Sequence, residues 1–105
     1  MYICFAEYRI LEHNRSQFLE LTKKLVKQHE NEMYLYEGTD QLNLFVEVWA
    51  ASSVSEAERI KEERCSERSS WFPISCFIDG GNAKLHVWTF KPVHLDADNS
   101  DAVSG

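Results

Sequence analysis

The longest run of β-branched, aromatic and aliphatic side chains in the sequence is Leu42-Asn43-Leu44-Phe45-Val46-Glu47-Val48-Trp49-Ala50. Gly38-Thr39-Asp40 precedes it and Ser52-Ser53 follows it. Its length and these flanking breakers predict a strand rather than a buried helix. Alternation along a strand gives it two faces. Leu42, Leu44, Val46 and Val48 share one, which is wholly apolar and predicts a helix packed against it. Asn43, Phe45, Glu47 and Trp49 share the other, which is aromatic with an embedded carboxylate.

The neighbouring segments supply the partners such a strand needs. Tyr2 to Ile10 reads as a first strand, with Ile3, Phe5 and Glu7 on one side and Cys4, Ala6, Tyr8 and Ile10 on the other. The period then changes. Phe18, Leu21 and Leu25, with Leu19, Thr22 and Val26, recur at helical spacing and predict a helix over 14–29, capped by Asn14 or Ser16. Met33 to Glu37 reads as a short second strand, joined to the long one by a tight connection in which Gly38 is free to take positive φ. Ser53-Val54-Ser55-Glu56 has capping-box spacing and opens a second helix over 53–68. Its apolar stripe is thin, and Arg59, Lys61, Arg64 and Arg68 read as a solvated face. Asp79-Gly80-Gly81-Asn82 is a turn signal, and 83–90 reads as the last strand, with His86, Trp88 and Phe90 on one face. Residues 69–78 are too apolar for a solvated loop, and Pro73 interrupts any helix there.

The order is β-α-β-β-α-β. It predicts an α+β, ferredoxin-like fold: an antiparallel sheet backed on one face by two helices. The domain spans residues 1–93. Residues 94–105 hold three Asp and no Lys or Arg, and read as a disordered acidic tail.

Composition narrows the partners. The net charge of −6 argues against a nucleic-acid backbone, which needs a basic face. No apolar run nears the ~18 residues of a membrane span, so a membrane partner is not expected. Met1-Tyr2-Ile3-Cys4-Phe5-Ala6-Glu7 meets an acid without a basic lead and reads as a strand, not a signal peptide. Three cysteines (Cys4, Cys65, Cys76) at wide spacings suit a reduced, cytoplasmic setting and no disulfide framework.

On this pairing of faces, the side of the sheet without helices carries Ile3, Phe5, Glu7, Phe45, Glu47, Trp49, His86, Trp88 and Phe90. So large an aromatic patch predicts a homodimer joined through the open sheet face; the alternative is that the loop around 71–78 folds over it.

The run Phe45-Val46-Glu47-Val48-Trp49 leading into Ala50-Ala51-Ser52-Ser53-Val54-Ser55-Glu56-Ala57, within this element order, resembles the antibiotic-biosynthesis-monooxygenase (ABM) domains. The resemblance covers about residues 1–92. It implies a dimeric α+β barrel with any pocket between the sheet face and the helices. It also implies a choice of function: a cofactor-independent or quinol-type monooxygenase acting on a small aromatic substrate, or a non-catalytic dimeric module for ligand binding or assembly. No cofactor is implied. Haem-degrading relatives use an Asn on the first strand and a Trp and a His on the second helix; here the first strand offers Glu7 and Tyr8, and 53–70 contains neither Trp nor His.

The candidate chemistry follows from strand parity. Glu7, Glu47 and His86 would project into one space, as general acid and base groups or as rim residues paired across a dimer; a metal site among them is disfavoured. Phe45, Trp49, Trp71 and Trp88 would line an aromatic substrate pocket, or pack in the core or interface. Glu47, between two aromatics, is either a base with its pKa raised toward neutrality or an anchor bonded to the partner chain, and the anchor is the preferred reading. Cys76 reads as inert. His13, His29 and His94 receive no role.

Overall fold

The computed structural model describes residues 1–95. Six main elements follow in chain order: β1 (Tyr2–Arg9), α1 (Arg15–Lys27), β2 (Met33–Glu37), β3 (Leu44–Ala51), α2 (Val54–Cys65) and β4 (His86–Phe90). Short 3-10 turns cover Glu12–Asn14, Phe72–Phe77 and Gly81–Lys84. The strands form one antiparallel sheet in the order β2-β3-β1-β4. β1 and β3 are therefore central, and the fold is the expected ferredoxin-like α+β arrangement. Among the described residues no helix is long and apolar enough to cross a membrane. The expected acidic tail over 94–105 lies, from residue 96 onward, outside the described residues.

The register sets the faces. Cys4 pairs with Trp49, Ala6 with Glu47 and Tyr8 with Phe45, so these side chains share one side of the sheet. They are all buried, in a core completed by Phe18 and Leu25 of α1 and by Trp71, Ile74 and Ile78. The opposite face carries Ile3, Phe5 and Glu7 of β1, facing Phe90, Trp88 and His86 of β4. Leu44, Val46 and Val48 of β3 stand beside them.

This reverses one expectation. Phe45, Glu47 and Trp49 lie under the helices, and the apolar row of β3 lies on the open face. The wholly apolar row is the one that predicts a helix against it, and burying the Glu47 row in its place is costly for an isolated carboxylate. That cost is offset here by Arg64, expected on a solvated helix face but in fact 4% exposed and bonded to Glu47. The face assignments for β1 and β4 stand, but β4 begins at His86 and not at 83, because Gly81–Lys84 winds into a 3-10 turn.

The helices start as their sequences direct, with one difference. Ser53 caps α2, its hydroxyl accepting from the Glu56 N–H at 3.1 Å. Asn14 precedes α1 without a side-chain cap, because a 3-10 turn already leads into the helix. α1 is instead tied at its start by Arg15. Its guanidinium donates to both Glu37 oxygens at 2.6 and 2.9 Å and to Asn43 Oδ1 at 2.7 Å. The Asn43 N–H in turn donates to Glu37 Oε2 at 2.7 Å. This clamp holds Asn43 at φ 71°, which delays β3 to Leu44. Asn43, not Gly38, is thus the left-handed residue of the connection. Gly38 is required for space: a Cβ there would sit 2.9 Å from the Gln41 carbonyl oxygen.

Residues 71–78 close the open end of the helix layer. Ile78 bridges to Ile10, the Asp79 N–H donates to the Arg9 carbonyl, and the Leu11 N–H donates to the Phe77 carbonyl. The segment packs its Trp71, Ile74 and Ile78 into the core and leaves the open face bare. Trp88 stays 44% exposed and Phe90 49%.

Candidate functional site

Three of the expected site residues separate across the sheet. Glu7 and His86 are cross-strand neighbours on the open face, where His86 stacks on Trp88 at 5.9 Å. Glu47 points the other way and is fully buried. The three do not share one space. The expected aromatic pocket divides likewise: Phe45, Trp49 and Trp71 lie on the helix side, while Trp88 lies on the open face, 5.8 Å from Phe5.

Glu47 is the centre of a closed network. Its carboxylate accepts from Arg64 Nε and Nη2, both at 2.7 Å, from the Tyr8 hydroxyl at 2.5 Å and from Trp49 Nε1 at 2.9 Å. Both oxygens each receive two donors, which leaves no ready lone pair for a substrate proton. Burial first, and then the Glu47 charge, push the Tyr8 phenol well above its ordinary range. Burial works to lower the Arg64 pKa, but its hydrogen bonds and charge attraction to Glu47 outweigh that and raise it. The group is therefore an anchor, and its cation comes from α2 of the same chain. Arg64 also lies over the Trp71 ring at 5.2 Å. Cys4, beneath the same network, has its thiol pushed up to about 12 by burial, then by Cys65 and Glu47. A thiol so raised is unreactive.

Above this network lies a cleft of about 470 Å³ between the end of α1, the end of β3, α2 and residues 66–71. Its aromatic wall is Trp49 edge-on to Trp71 at 5.1 Å, with His29 edge-on to Trp49 at 5.0 Å. Trp71 Nε1 is buried with no hydrogen-bond partner among the described residues. Arg59 is held between Glu56 and Glu63, each at 2.7 Å. Arg64 is held by Glu47, which leaves Arg68 as the cleft's arginine with no ion pair among the described residues. His29, to which the sequence reading gave no role, has its Nδ1 3.3 Å from Glu32 Oε1. Nothing in the sequence marks it, because its position depends on how the turn after α1 meets β3. Among the described residues no group of three or more His, Cys, Asp or Glu side chains converges as a metal site would require.

No family model and no curated protein sequence matches the chain. Solved structures do. A candidate antibiotic biosynthesis monooxygenase from Deinococcus radiodurans superposes with a TM-score of 0.67 at 9% identity, covering 100% of both chains. One from Nitrosomonas europaea gives 0.66 at 15% identity, covering 90% of this chain and 100% of that one. A NIPSNAP family protein of unknown function from Agrobacterium tumefaciens gives 0.61 at 17% identity, covering 91% of each. At these identities the likeness is one of fold, and the chain shares the ABM-like fold of the antibiotic biosynthesis monooxygenase-like and NIPSNAP proteins.

Proposed function

We propose that the chain is a dimeric small-molecule-binding module whose cleft takes one planar aromatic ligand per protomer. The observation that carries this reading is the cleft beside Trp49, Trp71 and His29. Its volume falls within the few hundred Å³ usual for small-ligand sites, and it joins an aromatic wall to a few polar groups. Trp49 and Trp71 are 6% and 3% exposed, so each offers the cleft only a narrow strip. That suits one or two fused rings. The dimer reading rests on the open face, where Phe5, Val46, Val48, Trp88 and Phe90 make an apolar surface that a second copy would cover.

A thermal-shift screen of small phenols, quinols and non-aromatic acids tests the ligand reading. Aromatic compounds should raise the melting temperature of the parent and not of a variant with the cleft filled by Ser70→Trp. A screen in which no aromatic compound stabilises the parent defeats it. Oxygen consumption with any hit then separates a monooxygenase of the kind named among the fold's relatives from a module that only binds. His29 beside Glu32 is the feature that favours the catalytic reading, since no described side chain bonds its second ring nitrogen.

A further inference from the structure

The strand register arranges the open face in lines that cross the sheet. Tyr36 of β2 pairs with Val46 of β3, Val46 with Glu7 of β1, and Glu7 with His86 of β4, so these four form one line. The next line is Tyr34, Val48, Phe5 and Trp88, and beyond it Ala50, Ile3 and Phe90 form a third. The first line therefore holds a hydroxyl at the β2 edge and a carboxylate beside an imidazole at the β4 edge. Among the described residues neither Glu7 nor His86 forms an ion pair. Arg9, the next side chain along the same face of β1, instead donates to Gln41 Oε1 at 2.7 Å and to the Leu42 carbonyl at 3.2 Å.

We propose that a second copy sits on this face about a twofold axis parallel to the strands, and that the Tyr36 hydroxyl of each copy donates to the partner's Glu7. This rests on the dimer reading and states how the two copies meet. Such an axis keeps each line and reverses its order, so β2 lies over the partner's β4 and β3 over the partner's β1. Tyr36 then comes over the partner's His86 with the partner's Glu7 next to it, and Tyr34 comes over the partner's Trp88. The contact occurs twice, once at each edge of the interface, where a polar rim is usual. Tyr36 is 58% exposed in the single copy and free to make it.

Aligned packing of two equal faces allows one other twofold axis, across the strands. That axis sets each strand on its own copy running the other way. Glu7 would then meet the partner's Ile3, the partner's Phe5 or the partner's Glu7, none of which donates a hydrogen bond from its side chain. A carboxylate covered in that way loses water and gains no partner, which is costly. The axis along the strands avoids that cost, because it alone brings the hydroxyl edge of one sheet to the carboxylate edge of the other.

Cross-linking with a short bis-maleimide reads the axis, in a background where the exposed Cys65 and Cys76 are replaced by Ser and Cys4 stays buried. After subunit exchange, Tyr36→Cys mixed with His86→Cys should give a covalent heterodimer. Tyr34→Cys should not link to itself, since its two copies stand at opposite edges. Absence of the mixed product, or self-linking of Tyr34→Cys, overturns the axis and leaves the dimer reading intact. Sedimentation equilibrium reads the contact. Tyr36→Phe, which keeps the ring, should weaken the parent's dimer about tenfold, because the hydrogen bond is lost twice. The same change should leave the dimer of Glu7→Ala as it was. A tenfold loss in both backgrounds, or none in the parent, overturns the contact. A monomeric parent overturns the dimer reading and the proposal with it.

Discussion

Arg64 reaches from α2 to Glu47 on β3 through two hydrogen bonds of 2.7 Å, and neither side chain is more than 2% exposed. A pair of charges this deep is stable only because each satisfies the other, with Tyr8 and Trp49 filling the remaining acceptor positions.

Removing one partner is expected to cost far more than replacing both. Glu47→Gln puts an amide NH2 against the guanidinium and strands a buried cation, with an expected loss of about 3–5 kcal/mol. The double variant Glu47→Leu/Arg64→Met should be more stable than Glu47→Gln, since it leaves no unpaired charge. Urea unfolding at fixed protein concentration measures both. A Glu47→Gln midpoint equal to the parent's would remove the anchor role.

The two cleft tryptophans are expected to differ. Trp49 Nε1 donates to Glu47, whereas Trp71 Nε1 is buried without a partner. Phenylalanine at 49 therefore loses a hydrogen bond to a charged group, and at 71 it loses none. Both lose similar ring area, so Trp49→Phe should be the more destabilising by about 1–3 kcal/mol. Equal losses, measured by the same unfolding, would mean the two indole N–H groups are equivalent.

How much of this was legible in the sequence depends on which interactions are local. Element order and helix positions follow from periodicity, and Ser53 to Glu56 is a cap three residues apart; these survive intact. The covered face of β3 does not follow from periodicity. It turns on Arg64, 17 residues away from Glu47, and no pattern within α2 distinguishes Arg64 from the exposed Arg59. The left-handed residue moved from Gly38 to Asn43 for the same kind of reason: Arg15 and Glu37 hold Asn43 in place from two other elements. The cleft was legible in part: Trp49 and Trp71 are expected pocket residues, but His29 beside them is not, because the three come from three segments whose meeting is set by the 66–71 chain path.

Acid should loosen the clamp at the start of α1. Arg15, then the Asn43 N–H, hold the Glu37 carboxyl down from its ordinary 4.5 to about 2. A depressed carboxylate pKa contributes stability that is fully present above the unfolded value and is lost as pH falls through the folded one. The window is therefore from about pH 4.5 down to about pH 2. Solvent at the edge of the pair weakens it, so the contribution is about 1–2 kcal/mol. Unfolding of parent and Glu37→Gln across this range should converge as pH falls. Parallel curves would show that the clamp carries no pH dependence.

The open face should decide the oligomeric state. Trp88 and Phe90 on β4 and Tyr34 and Tyr36 on β2 are each 44–58% exposed, at opposite edges of the same sheet. Between them the centre holds Phe5, Val46 and Val48, with Glu7 and His86 paired at one end. A standard interface buries about 800 Å² on each partner, and a four-stranded sheet face of aromatic and aliphatic side chains is of that order. A twofold pairing would set the same face of each copy against the other, which needs no second kind of surface. Sedimentation equilibrium of the parent should give a dimer. Trp88→Glu places a charge where the two faces would meet, while touching nothing in the core beneath the helices, so it should give a folded monomer with the parent's circular dichroism. A monomeric parent would defeat the assembly reading outright. A Trp88→Glu protein that stays dimeric would move the interface off this face.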